Sequence, residues 1–210
     1  MSESKVAQLE AILCNGGGRD FSEQEIQQLS RYYQLVLKWN QRLHLTTLTQ
    51  PEQFFQRHVF ESALAESHLL PAVRQLWDLG SGLGIPGLPL AVLRPDLQVY
   101  LVESGRNKVF FLEEVVATLE LANVRVVESR IESLETLPDD SCLTARAVEK
   151  MEQILREMLR IGEGSLQMVI LGTEAIKDAL VSGLADDWLV QSHQITGSER
   201  SLIINATRST

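Results

Sequence analysis

The run "DLGSGLGIPG", Asp78 to Gly87, follows a short apolar stretch and precedes the apolar segment "LPLAVLR". Glycines at 80, 82 and 84 make the chain turn sharply, and β-carbons there would obstruct both the turn and the approach of a ligand to the backbone. Strand, glycine turn and helix in this order open a parallel α/β sheet, and few other folds tolerate the combination. Sixteen residues beyond Gly87, Glu103 closes the next apolar run, "VYLVE". A carboxylate at that place can accept both hydroxyls of a ribose. Loop and acid together describe a site for an adenosine-containing ligand.

That description fits a nicotinamide dinucleotide as well as S-adenosylmethionine, because Gly82, Gly84 and Gly87 also satisfy G-x-G-x-x-G. Asp78 separates the two. Dehydrogenases usually carry an apolar residue just before the first glycine, whereas an acid suits the ammonium of a methionine moiety, or a water bound to it, and repels a pyrophosphate. A purely structural glycine turn is the remaining alternative.

The rest of the chain agrees with an α/β, Rossmann-like fold of seven mostly parallel strands. Short apolar runs spaced by helix-length segments predict strands at Gln75 to Leu79, Gln98 to Glu103, Val124 to Glu128, Ser141 to Ala145 and Leu166 to Leu171. Trp188 to Ile195 and Ser201 to Thr207 are joined only by "TGSER", so they predict a terminal antiparallel hairpin. The first 75 residues read as a helical extension, and residues 76–210 as the ligand-binding domain. Ser22 and Glu25 form a capping-box pattern for a helix running to Leu43, with Ile26, Leu29, Tyr33, Val36, Leu37 and Asn40 at helical spacing. "NGGGRD" before it, Asn15 to Asp20, reads as a turn. Pro51 suits the start of a second helix, with Phe54, Phe55, Val59, Ala63 and Leu64 on its apolar side.

Charge narrows the partners. A net charge of −9 argues against binding a polyanion by bulk electrostatics. Residues 1–75 nevertheless carry seven Lys or Arg against eight acids, while the remainder carries twelve against twenty. Any nucleic-acid contact is therefore expected mainly on the helical extension. Cys14 and Cys142 match no metal spacing and read as reduced thiols, so no metal is expected. No apolar run is long enough for a membrane helix, and the acidic, interrupted start is unlike a secretory signal, which predicts a cytoplasmic protein without membrane contact.

The sequence resembles the bacterial 16S ribosomal RNA guanine-N7 methyltransferases, the RsmG or glucose-inhibited division protein B family. The similarity runs through "LKWNQRLHLTTL", "RHVFESALA", "WDLGSGLGIPGLPLAVLRPDLQVYLVES", "KVFFLEEV", "NVRVVESRIESL", "TARAV" and "GSERSLII". It implies a class I S-adenosylmethionine-dependent methyltransferase fold and methyl transfer to N7 of a guanine in the 530 loop of 16S ribosomal RNA; the substrate is the free RNA or a small-subunit particle, and the chain is expected to act as a monomer. By position, Gly80, Ser81, Gly82, Gly84 and Pro86, with Asp78 ahead of them, would surround the cofactor. Glu103, with Ser104, would hold its ribose. Arg130, Ile131 and Glu132 would lie beside the adenine, and Arg146 would face the methyl-transfer site. The chain departs from the family pattern at His44 (usually Asn), Glu61 (usually Asp) and Leu171 (usually Lys), the last removing a positive charge from the expected RNA-facing rim.

Guanine N7 has an exposed lone pair and no proton at neutral pH, so its attack on a sulfonium methyl needs no general base. The sequence accordingly lacks an Asn-Pro-Pro-Tyr-like segment or a Pro-Cys nucleophile, and Cys142 reads as a strand core residue. Arg146 is expected to donate to guanine O6 or a phosphate, the alternative being an ion pair with Glu149 or Glu103. His58 reads as a post between extension and cofactor domain, or as a plain surface histidine. Arg42, Arg57, His58, Arg106 and Arg200 are candidates for RNA contact, while Trp39, Tyr32 and Tyr33 are expected in the core rather than stacked on bases. Two competing readings are a methyltransferase acting on another RNA or a small molecule, and a non-catalytic protein that binds S-adenosylmethionine.

Overall fold

The computed structural model describes residues 11–14, 19–146, 151–195 and 201–208. Arg200, Glu149 and the first part of "NGGGRD" lie outside them.

Helix α1, Glu23–Leu43, begins at the expected capping box: the Ser22 hydroxyl accepts the Glu25 N–H, and the Glu25 carboxylate accepts the Ser22 N–H. It ends where His44 adopts the left-handed conformation (φ 49°, ψ 48°) and donates its N–H to Asn40. Asparagine and histidine both tolerate that region better than most side chains, which accounts for a histidine in the place of the family's asparagine. Helix α2 starts at Pro51 and runs as Pro51–Phe54, a π-helical turn Phe55–Phe60, and Glu61–Glu66. A π turn holds an extra residue, so it advances the register of everything after it. Leu64, expected on the apolar side, is therefore exposed, while Ala65, His58 and Glu61 turn inward.

Seven strands form one sheet in the order β3-β2-β1-β4-β5-β7-β6. β1 (Gln75–Leu79), β2 (Gln98–Glu103), β3 (Val124–Glu128), β4 (Ser141–Arg146) and β5 (Gln167–Gly172) are parallel. β7 (Leu202–Arg208) lies antiparallel to β5, and β6 (Trp188–Gln194) antiparallel to β7, giving the expected hairpin. The predicted strands all form, with ends moved by no more than a residue, an ordinary difference at strand termini.

Side chains alternate across this sheet. Leu76, Val99, Leu101, Cys142, Val169 and Leu171 pack on the face covered by α1, α2, α3 (Gly87–Leu93) and α4 (Arg106–Thr118). Leu79, Val102, Leu143, Ala145, Met168 and Ile170 pack on the other face, under α5 (Met151–Ile161) and α6 (Glu174–Gly183). The two N-terminal helices thus share one core with the sheet. Ion pairs and hydrogen bonds fasten them: Arg19 bridges Glu25 and Glu66, the Gln28 amide donates to the Leu119 carbonyl, and Trp39 and Lys38 both donate to Glu114. Trp39, Tyr32 and Tyr33 pack into or against this core, with Trp39 edge-on to Phe111. The strand order reverses between β1 and β4, and a crevice opens at the carboxyl ends of the strands there.

Candidate functional site

The loop leaving β1 is built by backbone hydrogen bonds that only a glycine-rich chain can reach. Gly80, Gly82 and Gly84 have φ of 69°, 58° and 93°. The N–H groups of Gly80 and Ser81 both donate to the Val102 carbonyl of β2, which folds the loop across the sheet end. Gly87 is required for a different reason: a Cβ there would stand 2.4 Å from Leu101 and 2.7 Å from the Asp78 carboxylate. That contact lets Asp78 accept the Gly87 N–H at 3.2 Å and bind the first turn of α3 to the end of β1.

Asp78 is fully buried, and its Oδ1 has no hydrogen-bond partner among the described residues. Burial raises its pKa to about 7. It lies under the loop and lines neither cavity described below, so the structure does not bring it to the surface expected for an ammonium contact. Gly84 and Pro86 likewise shape the loop from behind.

Two cavities meet at Gly80. The first, about 380 Å³, is walled by Gly80, Val102, Glu103 and Ser104 on one side and by Ser129, Arg130, Ile131 and Glu132 on the other. Gln153, Ile154 and Glu157 of α5 close its third side, a contribution that helix periodicity alone did not single out. The Glu103 carboxylate is 7% exposed and held rigidly, accepting Gly82 N–H at 3.0 Å on one oxygen and Gly105 N–H at 2.7 Å on the other. A carboxylate has about four acceptor sites. The two that remain suit a vicinal diol, while Ile131 and Ile154 supply apolar walls for a flat base. The residues present therefore fit an adenosine.

The second cavity, about 330 Å³, lies between the glycine loop and the N-terminal helices. Gly80, Ser81, Gly82, Leu83 and Ile85 form its floor, and His44, Leu45, Thr46, His58, Lys108 and Arg146 its walls. For Arg146, the last residue of β4, an ion pair with Glu149 or Glu103 was the alternative to a donor role toward the base; Glu149 lies outside the described residues. The partner of Arg146 is Glu61 of α2, at 3.4 Å, and Glu103 is taken up by backbone N–H groups. Glu61 also binds Arg57 at 2.6 Å, and Arg57 donates to the Ser201 hydroxyl at 3.1 Å. Arg57 is thus engaged in this network. Burial raises the Glu61 pKa, with Arg146 and Arg57 pulling against it. Arg146 itself is lowered from its ordinary value, chiefly by burial. His58 is 6% exposed and lies against Arg146 at 2.6 Å, so the post between extension and sheet is present. Its pKa is lowered to about 3, by burial first and then by the charges of Arg146 and Arg57.

Leu171 corrects one expectation. It is 3% exposed in the layer beside Arg146, its register partner, and does not lie on a rim. Arg42 and Arg106 are exposed, Arg106 lying over the Phe110 ring. Lys108 and Thr46 were not singled out by the sequence; both stand in the second cavity because α4 starts, and α1 ends, at its edge.

A seven-stranded sheet of this order, with β7 inserted antiparallel and a nucleoside-shaped crevice at the switch point, defines the class I methyltransferase fold. Among solved structures it resembles M. capricolum TrmK in complex with S-adenosyl-homocysteine (TM-score 0.56, 9% identity, 72% of this chain and 68% of that one). The family model described as rRNA small subunit methyltransferase G matches residues 25–196, and the chain belongs to that family. The ribosomal RNA small subunit methyltransferase G of Xanthomonas oryzae pv. oryzae is 42% identical over 143 residues, which cover 67% of this chain and 66% of that protein. Its counterpart in Chromobacterium violaceum is 38% identical over 137 residues, 65% of each chain. The matched part of this chain thus spans about two-thirds of the length of these relatives.

Proposed function

We propose that this protein transfers a methyl group from S-adenosylmethionine to N7 of a guanine in the 530 loop of 16S ribosomal RNA, acting as a monomer on the free RNA or on a small-subunit particle. The observation that carries this reading is the junction of the two cavities at Gly80. A nucleoside whose sugar is held by Glu103 can pass its reactive end over Gly80 into a second chamber lined by Arg146. Bound there, S-adenosylmethionine supplies an electrophilic methyl group on a sulfonium centre.

The chain's own part is positioning. Gly80, Ser81 and Gly82 keep the floor of the chamber low, Ile131 and Glu132 border the adenine, and Ser104 and Arg130 flank the crevice mouth. Asp78, buried under the loop with its pKa raised to about 7, is poised so that a cationic ligand above it favours the charged carboxylate, whereas a pyrophosphate would favour the neutral acid. N7 brings its own lone pair, so the reaction needs no base, and neutral His58, with both ring nitrogens engaged, is held for positioning. Arg42, Arg106 and Lys108 are the exposed cations placed to meet phosphates around the target, and residues 1–75 form the RNA-facing side.

Calorimetry with S-adenosylmethionine and with NAD, followed by mass spectrometry of 16S RNA treated with the protein, tests the reading. Binding of the first ligand only, with gain of a single N7-methylguanosine, is the expected result. Binding of NAD, or cofactor binding without any methylated guanine, overturns it.

A further inference from the structure

The second chamber has a hydrogen-bond polarity that can be deduced atom by atom. A guanidinium only donates, so the contact of 2.6 Å between Arg146 Nη1 and His58 makes His58 Nδ1 the acceptor. Burial and two neighbouring guanidiniums keep this imidazole neutral. A neutral imidazole has one N–H, which must then be on Nε2. Nε2 lies 3.2 Å from Thr46 Oγ1 and donates to it. Thr46 Oγ1 also accepts the Leu48 N–H at 3.0 Å.

A hydroxyl has two lone pairs and one hydrogen. Both lone pairs of Thr46 are filled, so its hydrogen has to donate, and no acceptor for it exists among the described residues. Thr46 is also fixed in place. The Asn40 side chain grips its backbone from both sides, donating to the Thr46 carbonyl and accepting the Thr46 N–H, each at 2.9 Å. The result is a fixed donor in the wall of the chamber, its direction set by a relay that begins at Glu61.

Resting on the methyltransferase reading above, we propose that the Thr46 hydroxyl donates to O6 of the target guanine and makes the chamber selective for a 6-oxopurine. Adenine would present an amino hydrogen to a hydroxyl hydrogen, leaving two donors face to face and neither satisfied. This role differs from the one the sequence suggested, in which Arg146 donated to O6. Arg146 instead acts as a positioning residue for His58, and His58 for Thr46. Positive charge spreads over the purine as N7 takes the methyl group, so a donor at O6 orients the base and does not stabilise the transition state. Its effect belongs in base discrimination.

The test compares wild-type protein with Thr46→Val and Thr46→Ser on small-subunit particles whose target position holds guanine or 2-aminopurine, which lacks the 6-oxygen. Wild type and Thr46→Ser should lose about tenfold to hundredfold in kcat/KM on 2-aminopurine. Thr46→Val should lose a similar factor on guanine, show no further loss on 2-aminopurine, and keep its affinity for S-adenosylmethionine. A Thr46→Val protein that methylates guanine at the wild-type rate, or that still discriminates between the two bases, overturns the assignment alone. Wild-type protein that methylates neither particle overturns the functional reading and this assignment with it.

Discussion

The chemistry of single residues is concentrated where α2 meets the end of β4. Arg146 and Glu61 are partners in a buried environment, and Arg57, 2.6 Å from Glu61, still faces that carboxylate when Arg146 is removed. Arg146→Ala should destabilise the fold by about 1–2 kcal/mol, lower methyl transfer about tenfold to hundredfold through lost positioning of His58 and Thr46, and leave cofactor affinity within a few-fold, since Arg146 lies outside the adenosine crevice. Denaturant titration, single-turnover assays and calorimetry separate the three outcomes. His58 links this cluster to pH. Its pKa falls from 6.5 to about 3 on folding, so below 6.5 the unfolded chain binds a proton that the native chain refuses. The stability contributed by neutral His58 is complete above pH 6.5 and is lost as pH drops toward 3. Melting temperatures measured between pH 7 and 4 should therefore fall more steeply for wild type than for His58→Asn. Several of these residues were legible in the sequence as candidates, but not their pairings. Glu61 could be noted as a departure from a pattern, yet its hold on Arg146 joins positions 85 residues apart, a relation that only the packed chain contains.

At the scale of elements, the strands and the capped start of α1 could be read directly, because alternation and capping are local signals. The π turn in α2 could not, since nothing in "FQRHVF" distinguishes it from an ordinary helical turn. It is also the element that matters most for the site. By advancing the helix one residue it directs His58, Glu61 and Ser62 inward together, where α-helical spacing had placed Leu64. Excising the exposed Gln56 should return α2 to regular helix and rotate His58 and Glu61 away from Arg146. A loss of about 100-fold in kcat/KM is expected, with circular dichroism still reporting a folded protein. The cofactor crevice was better foreseen than the chamber because its floor comes from Gly80 and the contiguous segments 102–104 and 129–132, each at the end of a strand. The chamber draws on five separate stretches and on a helix register set by the π turn.

The whole molecule behaves as one packing unit. Tyr32, Val36, Phe54 and Val59 of the first two helices lie in the same apolar cluster as Leu76, Leu101, Val169 and Ile203 of the sheet. A fragment of residues 76–210 would expose that face of the sheet, and it should show neither a cooperative melt nor dispersed amide resonances, whereas the full chain should unfold in a single transition. One buried contact gives this unity a further meaning. The Tyr32 phenol donates to the Leu83 carbonyl at 2.8 Å, so the central helix of the N-terminal part is tied to the very turn on which the nucleoside rests. On the proposed reading, an RNA surface that shifts this helix would tug the turn as well. Reciprocity would then follow: whatever factor the loaded nucleoside added to the grip on the RNA, the RNA would return to the grip on the nucleoside.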